Sequence, residues 1–200
     1  YVRDLAKVDT RDLVMLFITA LITFLIGIQE GIITGVVLSI ASLTYNTSYP
    51  HIAELGLVKG TNTLRNVNRF EDVQVDEHIL IIRIDAPLTF SNVPQFISKL
   101  NQFENHKKDL SFVLLNASAI DYVDSTALKK IKEIADDYKK RNIRFAISTL
   151  KGPVRDKFKR SEMFGEIGEE NFFASDYEAL KAYKEGEEDH DKSLIFQSNK

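Results

Sequence analysis

The chain has 200 residues, no cysteine and a formal net charge of −3, which excludes disulfides, thiolate metal sites and cysteine nucleophiles. Nor does it carry the dense basic stripe that nucleic acid calls for. Its 44% hydrophobic and 28% charged residues would suit one globular domain, but the average conceals two halves, because the first Lys or Arg after Arg11 is Lys59. The composition shift predicts an apolar membrane segment over 1–47, a second domain over 48–185 and a charged, aperiodic, disordered tail over 186–200. The start at Tyr1, without the order of a signal peptide, reads as a fragment of something longer.

From Leu13 to Leu43 the only ionisable residue is Glu30. As one helix this stretch would reach about 46 Å, well beyond a hydrocarbon core of about 30 Å. The glycines and polar side chains of Gly27-Ile28-Gln29-Glu30-Gly31 predict a hairpin there, with arms of about fifteen residues each. Arg3, Lys7 and Arg11 precede the first arm and Lys59, Arg65 and Arg69 follow the second, so the positive-inside bias places both ends in the cytoplasm. Gly31, Gly35, Ser39 and Ser42 recur on one helical face, as close helix packing requires. A hairpin buried in a soluble core is the alternative. Glu30 is a candidate intramembrane functional residue, or a solvated charge at the outer interface.

Past Pro50 the pattern alternates. Ile79–Ala86, Phe112–Asn116 and Ile143–Ser148 are apolar runs of strand length, and Val93, Phe96, Ile97, Leu100 and Phe103, then Leu128, Ile131, Ala135 and Tyr138, fall at helical spacing. A third helix opens at Pro153, and a fourth at Ser175-Asp176-Tyr177-Glu178 with capping-box spacing. Leu55 to Val75 predicts an edge hairpin around Gly60. The fold class is α/β, a mixed central sheet with about four helices, preceded by the helical hairpin.

Several strings then resemble one family. Asp12-Leu13 through Gly27-Ile28-Gln29-Glu30-Gly31-Ile32 resembles the final membrane helices of SulP (sulfate permease) transporters. Tyr45-Asn46-Thr47-Ser48-Tyr49-Pro50-His51 resembles their linker, although a basic residue often stands where Asn46 does. Ile82-Arg83-Ile84-Asp85-Ala86-Pro87-Leu88-Thr89-Phe90-Ser91-Asn92, Asn116-Ala117-Ser118-Ala119-Ile120, Val123-Asp124-Ser125-Thr126-Ala127-Leu128 and Lys151-Gly152-Pro153-Val154-Arg155 resemble the STAS domain that follows in that family. The likeness runs in order over about residues 10 to 185. It implies a secondary active transporter or exchanger of inorganic anions, sulfate most commonly and bicarbonate in some branches. It further implies a homodimer in a bilayer, and a cytoplasmic STAS domain serving assembly and regulation. The partners implied are the remainder of the same transporter chain and the transported anion. The absence of a long insertion between Phe103 and Phe112 resembles bacterial members, hence an inner membrane.

Asp121-Tyr122-Val123-Asp124-Ser125-Thr126 opens a helix, where backbone amides and the dipole favour an anion. STAS domains also form anti-sigma factor antagonists, whose regulatory phosphoserine follows an aspartate in this loop. By that resemblance the regulatory site falls on Ser125, with Thr126 beside it and Asp124 before it, and a membrane-anchored signalling module is the alternative function. The plain reading is that Asp124 or Ser125 caps the helix. His51, His78, His106 and His190 are scattered without metal-ligand spacing. No Gly-rich phosphate loop, paired carboxylates or nucleophile with a base stands out, so neither a cofactor nor an enzymatic activity is expected. Lys151, Arg155, Lys157, Lys159 and Arg160 are read as a solvated helix face, or as a patch that could touch acidic lipid.

Overall fold

The structure, a computed structural model, describes residues 10–186. The chain divides into two compact units, Tyr1–Tyr49 and Pro50–Lys200. The tail expected over 186–200 lies, beyond Gly186, outside the described residues.

The described residues of the first unit hold two helices, α1 (Thr10–Leu25) and α2 (Ile28–Ser48). The turn is tighter than the composition suggested. It occupies Ile26 and Gly27 alone, closed by the Ile26 and Gly27 amides donating to the Ile22 carbonyl at 2.9 and 3.3 Å. Gly31 belongs to α2 and is buried. A Cβ there would stand 1.9 Å from the Thr23 Oγ1, so this glycine serves helix approach and not the turn. Gly35 does the same more loosely against Thr19, whereas Ser39 is exposed. The arms are 16 and 21 residues, unequal because α2 continues through Thr44 and Thr47, whose hydroxyls bond back to the Ile40 and Leu43 carbonyls. At 1.5 Å per residue α2 rises about 32 Å. Among the described residues it is the one helix long and apolar enough to cross a membrane. Phe24, Leu25, Ile32, Val37 and Leu43 point outward, exposed.

The second unit is built on one mixed sheet. Its strands are β1 (Ile52–Val58), β2 (Leu64–Asn66), β3 (Val73–Gln74), β4 (Ile79–Ile84), β5 (Phe112–Asn116), β6 (Arg144–Ser148) and β7 (Phe172–Phe173), in the spatial order β2-β1-β4-β5-β6-β7. β1 runs antiparallel to β2, β3 and β4, and β4 through β7 are parallel. The β1–β2 hairpin turns at Gly60, with φ 72°.

Both faces of the sheet are covered, which is why β4, β5 and β6 read as continuous apolar runs. Leu80, Ile82, Val113, Leu115, Phe145 and Ile147 pack under α3 (Val93–Glu104), α4 (Ser125–Lys140), α5 (Gly152–Arg160) and the short α6 (Met163–Ile167). The alternate residues Ile79, Ile81, Phe112, Leu114 and Ala146 meet Ala179, Leu180 and Tyr183 of α7, residues 176–186. Of these helices α3, α4, α5 and α7 are the expected four. α6 is an extra turn, separated from α5 at Glu162, whose φ of 58° is left-handed. The expected capping residue at Ser175 accepts the Glu178 amide at 3.2 Å, and Pro153 lies in the first turn of α5.

At the carboxyl ends of β5 and β6 a polar knot replaces the apolar pattern. Asp176 at the start of α7 accepts the Asn116 Nδ2 at 2.6 Å and the Ser148 hydroxyl, both from residues that are buried. One carboxylate thus satisfies two buried donors on neighbouring strands.

Candidate functional site

The loop entering α4 lies beside the turn after β4. Leu88 and Val123 form a parallel bridge, with the Leu88 amide donating to Tyr122 O at 3.0 Å and the Asp124 amide to Leu88 O at 3.3 Å. The turn itself is held by buried Asn92, whose Oδ1 accepts the Thr89 amide and whose Nδ2 donates to Pro87 O.

Asp124 is the junction of the two loops. It is extended (φ −94°, ψ 174°), as an N-cap residue should be, and its Oδ1 accepts the Ala127 amide at 2.8 Å. Its Oδ2 accepts the Phe90 amide at 2.7 Å. The cap therefore belongs to Asp124 and not to Ser125, and it ties α4 to the β4 turn as well.

Ser125 and Thr126 are the first residues of α4, and both are exposed. Neither side chain makes a hydrogen bond among the described residues, and their amides lie at a helix start where orphan donors and the dipole favour negative charge. Around them stand Phe90, 70% exposed, and Tyr122, 49% exposed.

Lys157 does not behave as part of a solvated basic face. Its ammonium donates to Val123 O at 2.7 Å and sits 3.7 Å from the Tyr122 ring centroid, so α5 reaches over and braces the loop. Sequence spacing did not distinguish it from Lys159, because the signal is a contact 34 residues away. Glu30 belongs to the other unit, in the first turn of α2, exposed and without a hydrogen bond among the described residues. No group of three or more His, Asp or Glu able to hold a metal occurs among the described residues.

A second charged cluster lies where the chain enters β1. Asp85 accepts from Arg83 Nε at 2.6 Å and pairs with His51 Nδ1 at 2.8 Å, while its amide donates to His51 O. Burial pushes this carboxyl up, but the bonds from Arg83 and His51 outweigh burial and hold it below its usual value.

The sequence profile described as the STAS domain matches residues 71–179. The chain is 33% identical over 203 residues to "Sulfate transporter 4.1, chloroplastic" of Arabidopsis thaliana, covering 95% of this chain and 30% of that protein. It is 25% identical over 225 residues to a sulfate transporter of Equus caballus, covering 92% of this chain and 31% of that one. The fold is similar to that of the murine Solute Carrier 26 family member A9 anion transporter in its inward-facing state, with a TM-score of 0.82, 18% identity, and coverage of 91% of this chain and 30% of that one. The chain thus spans somewhat under a third of the length of these relatives.

Proposed function

The chain belongs to the STAS domain family, and from that premise we propose that it forms the carboxy-terminal part of a secondary active inorganic anion transporter, with sulfate the first substrate to test. The observation that carries this reading is continuity. The likeness to proteins named as sulfate transporters covers 95% of the chain, so it takes in the apolar hairpin together with the sheet domain. In this reading the hairpin crosses the bilayer with both ends in the cytoplasm, the STAS domain supports homodimer assembly and regulation, and the host membrane is a bacterial inner membrane. Radiolabelled sulfate uptake by the intact protein in proteoliposomes, with bicarbonate and chloride as competitors, tests it. Saturable uptake is expected, and folded, reconstituted protein that moves none of these anions would overturn the reading.

Regulation is assigned to the Ser125 loop on one observation, the exposed and unengaged hydroxyl at the start of α4. A phosphate there would add about −1.5 to −2 charges beside the Asp124 carboxylate that bridges Ala127 and Phe90. Like-charge repulsion would weaken the bridge and release the Phe90 turn, altering the aromatic surface. A free-standing signalling module would use the same loop. Phosphopeptide mass spectrometry of native protein, with Ser125→Ala as control, decides whether the site is used.

A further inference from the structure

A groove of about 440 Å³ lies beside α7, lined by Leu180 and Lys184 of that helix, by Leu55, Leu57 and Ile81 of the strands, and by Val75 before β4. Its volume is within the about 300–1,000 Å³ typical of binding sites. Leu55, Ile81 and Leu180 belong to the core of the face that α7 covers, whereas Val75 is 44% exposed. The apolar lining therefore runs from the core out to solvent. Two cations stand in the same lining, Lys59 and Lys184, both exposed and neither with an ion-pair partner among the described residues. The one acid there is Asp76, whose Oδ1 already accepts the His78 amide at 2.9 Å.

The groove adjoins the place where the described chain ends. Gly186 follows Lys184 by two residues, and residues 187–200 lie outside the described ones. Their sequence has two parts. Glu187, Glu188, Asp189 and Asp191 come first, and Leu194-Ile195-Phe196 follows, the only three consecutive apolar residues after Ala174. Composition alone predicts disorder for such a charged stretch, but segments that stay in water are poor in residues of this kind. Acids followed by an apolar triplet are the complement of a groove that has an aliphatic floor and two free lysines. Reach is no obstacle, since the eight steps from Gly186 to Leu194 span up to about 26 Å. A tether this short also holds the triplet at about millimolar effective concentration, so weak contacts suffice. We propose that Leu194, Ile195 and Phe196 of the same chain dock in this groove, extending the cover that α7 begins, with the acidic run before them held near Lys59 and Lys184.

The test is disulfide trapping in the intact protein, with cross-links mapped by peptide mass spectrometry; this chain adds no cysteine of its own. Gln74 lies in the groove lining and is exposed, and Gln197 directly follows the triplet. Arg155 serves as the control partner, because it is exposed beside a different groove, one lined by Phe164 and Phe172. Under mild oxidation Gln74→Cys with Gln197→Cys should cross-link within one chain about tenfold faster than Arg155→Cys with Gln197→Cys, the excess that docking adds to a free tether. Leu194→Ser with Phe196→Ser should erase that difference. Lys59→Glu with Lys184→Glu should narrow it about threefold, the worth of two exposed ion pairs. Equal rates at the two partner cysteines, a faster reaction at Arg155, or a difference indifferent to either pair of substitutions would each overturn the proposal. Cross-links formed only between two chains would do so too, by making a second copy the occupant. Amide exchange gives a reading that needs no cysteine. Ending the chain after Lys192, which leaves α7 whole, should speed exchange over residues 73–76, and an unchanged rate would also overturn the proposal.

Discussion

Replacing Asp124 by Ala removes two hydrogen bonds at once, the helix cap to the Ala127 amide and the bridge to the Phe90 amide. Loss of an N-cap costs about 1 kcal/mol. The second bond, from a carboxylate to a surface amide, adds about 1 kcal/mol, below the range for buried charged bonds because water can reach the Phe90 amide. The sum is about 2 kcal/mol. Asp124→Asn separates the terms, since its amide oxygen still caps Ala127 while its NH2 cannot accept from Phe90, and about 1 kcal/mol should be lost. In urea, with a slope of about 1–3 kcal/mol per molar, the midpoint of the unit from Pro50 onward should fall by about 1 M for Ala and about 0.5 M for Asn. Ser125→Ala, whose hydroxyl has no partner among the described residues, should stay within about 0.5 kcal/mol of the native protein. If Ser125→Ala costs as much as Asp124→Ala, or Asp124→Asn costs as much as Ala, the assignment of cap and bridge to one carboxylate is wrong.

The remaining predictions concern pH and packing. Asp85 has a folded pKa below its unfolded one, so the stability it contributes is present above about pH 4 and drains as pH falls through the lower folded value. Asp85→Asn should therefore flatten the acid limb of an unfolding-versus-pH curve. Burial first, and then the bond to Glu104, push the Tyr138 phenol above its ordinary range. Its contribution is then full below about pH 10 and lost as pH rises further, and Tyr138→Phe should reduce that alkaline loss in the same assay. Gly31→Ala would place a Cβ 3.0 Å from the Thr23 Cα and closer still to its hydroxyl. Cysteines introduced across α1 and α2 should cross-link more slowly in that variant, whereas Gly35→Ala, with its nearest neighbour at 3.2 Å, should change the rate little.

Much of the sheet domain could be read from periodicity because its two faces are each served by helices. Residues Ile79 to Ile82 and Phe112 to Leu115 are apolar at every position, and only a strand buried on both sides calls for that. α4 was legible for a different reason: Asp124 carries a local signal, a capping residue directly before an amphipathic run. What stayed hidden depends on contacts distant in sequence. Nothing near Lys157 marks it as the brace of a loop 34 residues earlier. Asp176 reads as one more acid in a capping motif, yet it closes the ends of two strands. In the hairpin, Gly27 and Gly31 looked equivalent. They parted because one lies at a chain reversal and the other faces Thr23, and a single sequence does not separate a glycine needed for its backbone from one needed for its missing side chain.

The arrangement of α7 bears on the order in which the domain can be completed as the chain emerges from the ribosome. α3, α4 and α5 are made between or directly after the strands they cover, so one face of the sheet can be sealed progressively. The other face has Ala179, Leu180 and Tyr183 as its helical cover, with Tyr183 stacked on Phe112 at 4.6 Å between centroids. Those residues are synthesised about 30 positions after the last residue of β6. Until then Leu55, Ile81, Phe112 and Leu114 have no helix to lie under, and the nascent domain presents a sticky half-core. A stop codon or proteolytic cut shortly before Asp176 would make that transient condition permanent, and aggregation of the truncated chain would be its visible result.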